Sequence, residues 1–183
     1  MEPKRNCALI LVNLGTPDAP DEESIRRFLK QFLSDPRVVD FPRWLWLPIL
    51  NGIILKNRPK RLIEDYSNIW GESAGPIVEI TFSLAKKLQT VLPSEMRVIT
   101  AMTYGSPSIK DAMEEAKGFD QIIVLPMFPQ YAGATTGAIE DQIDASRCEL
   151  SVKKPIKVIK DYHDEPSYIK AVSRTITNPE RFS

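Results

Sequence analysis

Histidine and cysteine are scarce in this chain. One histidine, His163, and two cysteines, Cys7 and Cys148, occur in 183 residues. A Ser-His-Asp or Cys-His enzyme would have to use His163, and a site built from several histidine metal ligands cannot be assembled. Two distant cysteines exclude a disulfide scaffold and a zinc ribbon, and suit a reducing compartment. Net charge is also missing: 24 Lys and Arg balance 24 Asp and Glu. That removes the electrostatic footprint of a nucleic-acid binder, although a local basic patch survives the sum. There is no G-x-G-x-x-G after a strand and no G-x-x-x-x-G-K-[ST], so dinucleotide and P-loop binding lose their usual support.

Long apolar runs are absent too. The charged residues 1–6 precede an apolar run that breaks at Asn13, which reads as a buried strand and not as a signal peptide. Residues 41–55 are apolar but contain Pro42, Arg43, Pro48, Asn51 and Gly52, too interrupted to span a bilayer. A cytoplasmic protein, soluble or peripheral at the inner face of a membrane, is expected. What is abundant is proline, 15 residues, alongside 43% hydrophobic and 26% charged residues. That is the composition of a globular chain with sharply punctuated loops.

Cys7-Ala-Leu-Ile-Leu-Val-Asn13 is apolar without alternation, as in a strand covered on both faces. Residues 97–102, 121–126 and 157–160 read as three further strands. Helices are expected over 21–33, with Ile25, Phe28, Leu29, Phe32 and Leu33 on one face, and over 77–91, 109–117 and 138–146. Pro59 is expected to open another helix at its first turn, followed by Leu62, Ile63, Tyr66, Ile69 and Trp70. Ser106 is a candidate cap, and Pro166 opens a last helix. Strand and helix in alternation predict an α/β fold: a doubly wound, parallel four-stranded sheet with helices on both faces. Ligands in such folds sit outside the carboxyl ends of the strands. The segments to inspect are therefore 13–17, 102–105, 126–131 and 161–163.

Each of these segments has a plain reading and a functional one. Gly15, in Leu11-Val-Asn-Leu-Gly-Thr-Pro17, permits close backbone approach to a ligand, or simply turns the chain. In Pro129-Gln-Tyr-Ala-Gly-Ala-Thr-Thr-Gly137, Thr135 and Thr136 cap the next helix, or Tyr131 faces a cleft. His163, beside Asp161, Asp164 and Glu165, reads best as a surface histidine in a polar turn. The cluster from Trp44 to Leu55 is core, or else an apolar surface beside the cations Lys56, Arg58, Lys60 and Arg61. Trp44, Trp46, Pro48 and Gly52 interrupt any helical stripe. Apolar surface next to cationic surface suits a membrane interface or a large carboxylated ligand.

Several ordered motifs together resemble the ferrochelatases, bacterial type, which insert ferrous iron into protoporphyrin to form haem. They are Leu11-Val-Asn-Leu-Gly-Thr-Pro-Asp-Ala-Pro20, Phe32-Leu-Ser-Asp-Pro-Arg-Val-Val39, Arg58-Pro-Lys60 with Tyr66-Ser-Asn-Ile-Trp70, Ala101-Met-Thr-Tyr-Gly-Ser-Pro107, and Leu125-Pro-Met-Phe-Pro-Gln-Tyr131 with Thr135-Thr-Gly137. The resemblance implies a chelatase-like fold and two similar Rossmann-like domains with a porphyrin cleft between them. Residues 1–160 would form the N-terminal domain, with a porphyrin lip at about 37–60, and 161–183 would start the crossover towards a second domain.

It implies porphyrin-binding roles for Leu14 on the ring face, Arg58 and Tyr66 at the propionates, Tyr131 on the deep side, and Tyr104 and Tyr162 lining the pocket. It also implies peripheral membrane contact through Trp44, Trp46 and Leu47, with ferrous iron as substrate. The family's catalytic Ser-x-His-x-x-Pro motif and its acidic partner do not occur in these residues. No catalytic or metal-binding residue is therefore assigned. Gly75 replaces a frequent serine and Thr103 a frequent arginine. Gly133 stands where cluster-bearing members have a cysteine, so neither an iron–sulfur cluster nor another bound cofactor is expected.

The expected reading is the N-terminal half of a chelatase, inactive alone, whose exposed apolar surface is covered by a second domain or a second copy. A non-catalytic porphyrin-binding or interaction module is the alternative. A cobalt chelatase for corrinoid precursors is disfavoured by the single histidine.

Overall fold

The computed structural model describes residues 6–176. The charged segment before Asn6, and the expected end of the last helix at 181–183, fall outside the described residues. Four strands form one parallel sheet: β1 (Cys7–Asn13), β2 (Met96–Met102), β3 (Gln121–Pro126) and β4 (Ile156–Val158), in the order β2-β1-β3-β4. In register, Leu11 of β1 stands opposite Thr100 and Leu125. The seven helices are α1 (Glu22–Ser34), α2 (Arg43–Ile49), α3 (Leu55–Ile69), α4 (Pro76–Val91), α5 (Ile109–Ala116), α6 (Ala138–Glu149) and α7 (Pro166–Ile176).

The apolar run of β1 lacks alternation because both its faces are covered. Ala8, Ile10 and Val12 join Ile122 and Val124 beneath Met113 of α5 and Ile139 and Ile143 of α6. Leu9 and Leu11 face the other way, with Leu84, Ala85 and Leu88 of α4. The doubly wound parallel architecture is therefore the one the alternation predicts. Helix α5 is capped by Ser108, not Ser106, through a reciprocal box with Asp111. Asp21 caps α1 by accepting the Ser24 N–H at 2.8 Å.

Between β1 and α4 the chain makes an excursion over the carboxyl ends of the strands, built from α1, α2 and α3. Here the sequence expectation needs correcting. Residues 43–69 are helical throughout, and the interruption at Trp44–Gly52 is absorbed by a π-turn at Leu50–Ile54. A π-turn shifts the bonding pattern by one residue, so the Leu55 N–H reaches the Leu50 carbonyl.

Pro59 does not open the helix but lies inside it, five residues into α3. An interior proline cannot donate to the carbonyl four residues back, which is that of Leu55. Arg26 of α1 fills the gap: its Nε donates to that carbonyl at 3.0 Å. One hydrogen bond thus serves both as a helix repair and as a tie between α1 and α3. Further ties are the Trp46 indole N–H, which donates to the Leu33 carbonyl at 2.7 Å, and the fully buried side chain of Leu50.

Candidate functional site

Helices α1 and α3 and the loop after β1 enclose an apolar groove of about 490 Å³. Its walls are Leu14 on the loop, Phe28, Leu29 and Phe32 on α1, and Leu62, Tyr66 and Ile69 on α3; Pro76 and Ile77 close one end. The size and apolar lining are those of a small-molecule site. It lies at the carboxyl end of β1, where the α/β topology places ligands.

The loop is held from two sides. The Asn13 carboxamide accepts the Leu14 N–H at 2.8 Å and donates to Thr81 Oγ1 at 3.0 Å. Thr81 donates onward to the Ile77 carbonyl at 2.6 Å, which locks the loop to α4. From the β2 side, the Tyr104 N–H donates to the Leu14 carbonyl at 3.0 Å. Leu14 is thereby fixed at the groove wall. Gly75 admits the loop from below, since a Cβ there would stand 2.8 Å from the Thr16 side chain. A residue with a Cβ at 75 would require the Thr16 side chain to turn aside.

Arg58 is exposed on the groove rim and makes no ion pair among the described residues. Tyr66 is half-buried beside it. Burial pushes its phenol up, and the nearby guanidinium of Arg58 pulls the other way. The groove thus offers an uncommitted guanidinium and a protonated phenol next to an apolar wall, which suits an amphipathic carboxylate.

Of the six residues singled out in the sequence, this groove gathers Leu14, Arg58 and Tyr66. Tyr104 is placed behind it. Its ring meets Phe32 edge-on at 5.2 Å and its hydroxyl donates to Asp35 at 2.8 Å. Burial, reinforced by that carboxylate, pushes the phenol far above its ordinary range. Tyr104 therefore supports the Phe32 wall.

Tyr131 is half-exposed at the end of β3. It lines a separate hollow of about 510 Å³ with Phe128, Pro129, His163 and Tyr168. Tyr162 adjoins it, its N–H on the Pro129 carbonyl at 2.9 Å and its ring edge-on to Tyr168 at 5.4 Å. Neither threonine of the 133–137 segment caps α6 with its side chain. That segment is a π-turn, Gly137 occupies the cap position, and the Thr136 hydroxyl is buried without a partner. Ligand atoms of His163, Asp161 and Asp164 lie within 4.8 Å of one another, and all three residues are exposed.

Asp35 was not visible as a site residue. Its carboxylate joins Tyr104 to the backbone of Arg37, at 2.8 Å to each, and Arg37 in turn grips Asp141 at 2.7 and 3.0 Å. The Asp35-Pro36 pair reads only as a helix stop. Phe28 and Phe32 were legible as a helical face, but which part of that face borders a groove depends on where α3 lies.

Of the residues offered for a membrane contact, Trp44 is 75% exposed. Trp46 and Leu47 instead pack on the α1 cluster. No helix among the described residues is long and apolar enough to cross a membrane.

Glu79 organises the loop that leads into α4. Its carboxylate accepts the N–H groups of Ser73 and Ala74, at 3.0 and 3.1 Å, so the loop before α4 folds around it. Those two backbone bonds hold its acid well below the ordinary range. A depressed acid stabilises the fold above its unfolded pKa, and that contribution fades as pH falls through the folded value. Glu79→Gln is expected to flatten the loss of thermal stability on acidification below about pH 4. Melting curves of both proteins across pH 3–7 test this, and parallel curves for the two would remove Glu79 from the account.

A sequence model of the ferrochelatases matches residues 6–181. The chain is 43% identical over 178 residues to the ferrochelatase of Vibrio parahaemolyticus, covering 96% of this chain and 55% of that protein. It is 41% identical over 174 residues to that of Nitrosomonas europaea, covering 92% and 48%. It is 42% identical over 175 residues to that of Methylibium petroleiphilum, covering 93% and 48%. The chain thus spans about half the length of the curated relatives it matches. Across nearly all of its own length, and with the parallel sheet those motifs predict, the chain belongs to the ferrochelatase family.

Proposed function

We propose that this chain forms the porphyrin-holding half of a chelatase that inserts ferrous iron into protoporphyrin, with iron as substrate and no resident cofactor. The observation that carries the reading is the apolar groove with the guanidinium of Arg58 on its rim, in no ion pair among the described residues. A macrocycle lies against Leu14, Phe32 and Leu62, its carboxylates towards Arg58 and the Tyr66 hydroxyl. Insertion requires a base that removes the pyrrole protons within hydrogen-bond reach. The Ser-x-His-x-x-Pro motif that supplies it in the family is not among these residues. The chain alone therefore binds porphyrin without metallating it. Tyr131 and Tyr162, at the next strand ends, line the far side of the cleft that a second domain completes, and that domain covers the exposed Ile169 on α7.

The lip is proposed to rest on the inner face of the cytoplasmic membrane. Trp44 is joined there by exposed Phe41, Leu45, Ile49 and Ile53, with Lys56 and Lys60 following. Apolar side chains flanked by cations suit an anionic interface.

Titrating the chain with protoporphyrin IX and following the Soret band tests the reading. Saturable binding is expected, and Arg58→Gln weakens it about tenfold, because one charge-assisted contact is lost. Addition of ferrous iron should leave the spectrum that of free-base porphyrin. Absence of binding by the unaltered chain refutes the proposal, and metallation at an enzymatic rate refutes the claim that the base lies elsewhere.

A further inference from the structure

The groove carries charge of both signs, and they are kept apart. Arg58 and Asp65 both line it, and neither forms an ion pair among the described residues. Seven residues of α-helix separate them, two turns or about 10 Å, so both project to nearly the same side of α3. Long helical side chains lean towards the helix N-terminus. That lean directs the guanidinium of Arg58 away from Asp65, and the charge of Arg58 acts on the Tyr66 phenol against the effect of its burial. Asp65 lines the groove together with Leu62 and Ile69, about one helical turn to either side of it. Among the described residues no other carboxylate lines the groove.

From this polarity we infer that Asp65 is a specificity-determining residue: it confines the acidic edge of the ligand to the Arg58 end and rejects a tetrapyrrole with carboxylates on both edges. A ligand whose carboxylates share one edge places them at Arg58 and Tyr66, and its apolar edge passes Asp65, Ile69, Pro76 and Ile77. A ligand acidic on both edges must bring a carboxylate up to Asp65, with no cation from the groove wall to offset the repulsion. The inference rests on the porphyrin-binding reading above and adds to it a discrimination among porphyrins.

The test uses two probes, protoporphyrin IX, with two propionates on one edge, and coproporphyrin III, with propionates on both. Each is titrated into the unaltered chain, Asp65→Asn and Asp65→Glu in detergent micelles. The unaltered chain is expected to prefer protoporphyrin. Asp65→Asn should tighten coproporphyrin binding about tenfold while leaving protoporphyrin within about twofold. Asp65→Glu, which keeps the charge, should retain the preference. The preference of the unaltered chain should also shrink as salt rises, since the effect is electrostatic and the site is open to solvent. If Asp65→Asn leaves the ratio of the two affinities unchanged, the inference fails and the porphyrin-binding reading stands. If the unaltered chain binds neither porphyrin, both fall together.

Discussion

Gly15→Ala is expected to cost about 4 kcal/mol of stability, at the upper end of what single substitutions do. Two independent penalties meet at this position. The backbone lies at φ +97°, a conformation that side chains other than glycine rarely adopt. A Cβ built there would also stand 1.8 Å from the Tyr104 carbonyl oxygen and 3.0 Å from the Met102 Cβ. The neighbour is backbone and cannot rotate away. Relief requires the loop after β1 to lift from the loop after β2, which breaks the Tyr104 N–H bond to the Leu14 carbonyl.

Lifting the loop moves Leu14 off the groove wall, so the proposed porphyrin binding is expected to fall together with stability. For a chain of this size a loss of about 4 kcal/mol lowers the melting temperature by roughly 10 °C. Urea denaturation measures the loss directly. A variant within 1 kcal/mol of the unaltered chain would contradict the close approach at Gly15. The same glycine sits in the Asn13-Leu-Gly-Thr-Pro17 segment that the sequence already marks as a strand end. What the sequence withholds is the identity of the neighbour, because Tyr104 lies 89 residues away and meets Gly15 only once β1 and β2 pair in parallel.

That distinction separates what was legible from what was not. Strand β1 was readable to the residue, since an unbroken apolar run has few other ways to bury itself. The order of elements followed from alternation. The helical course of residues 43–69 was not legible, because that helix is sustained by tertiary contacts and not by local propensity. Pro59 breaks an isolated helix, yet here Arg26 supplies the missing donor from 33 positions away in the chain. Gly52 and Pro48 weaken propensity, and the buried Leu50 outweighs them. The site divides in the same way. Arg58 and Tyr66, eight residues apart on one helix, share a groove by helical geometry alone. Tyr104 shares a motif with site residues, but the Asp35 carboxylate draws its hydroxyl inwards, and nothing near Tyr104 in sequence announces Asp35.

The lip offers the second large effect. Leu50 is fully buried in the π-turn among Ile25, Phe28, Leu29 and Leu33, whereas Ile53, three residues on, is 60% exposed. Leu50→Ala removes a side chain that closes the α1–α3 cluster and is expected to cost about 3 kcal/mol. Ile53→Ala removes a similar volume from the surface and should cost under about 0.5 kcal/mol.

The two variants should also differ in where the damage appears. Loss of Leu50 frees the turn that seats Trp46 on the Leu33 carbonyl, so tryptophan emission shifts to the red and proteases cut within 43–54 before the sheet unfolds. Loss of Ile53 leaves emission and proteolysis unchanged but weakens co-sedimentation with anionic vesicles, because only the outward face of the lip has lost apolar area. Equal destabilisation by the two would place Ile53 in the core and dismiss the lip as a surface. Unchanged proteolysis of Leu50→Ala would mean that Arg26 and Trp46 hold α2 and α3 without it. The expected split assigns the lip two faces with separate tasks: the inner one, through Leu50, sets the position of α3 and hence of Arg58 and Tyr66, and the outer one, through Trp44 and Ile53, is left for the proposed membrane contact.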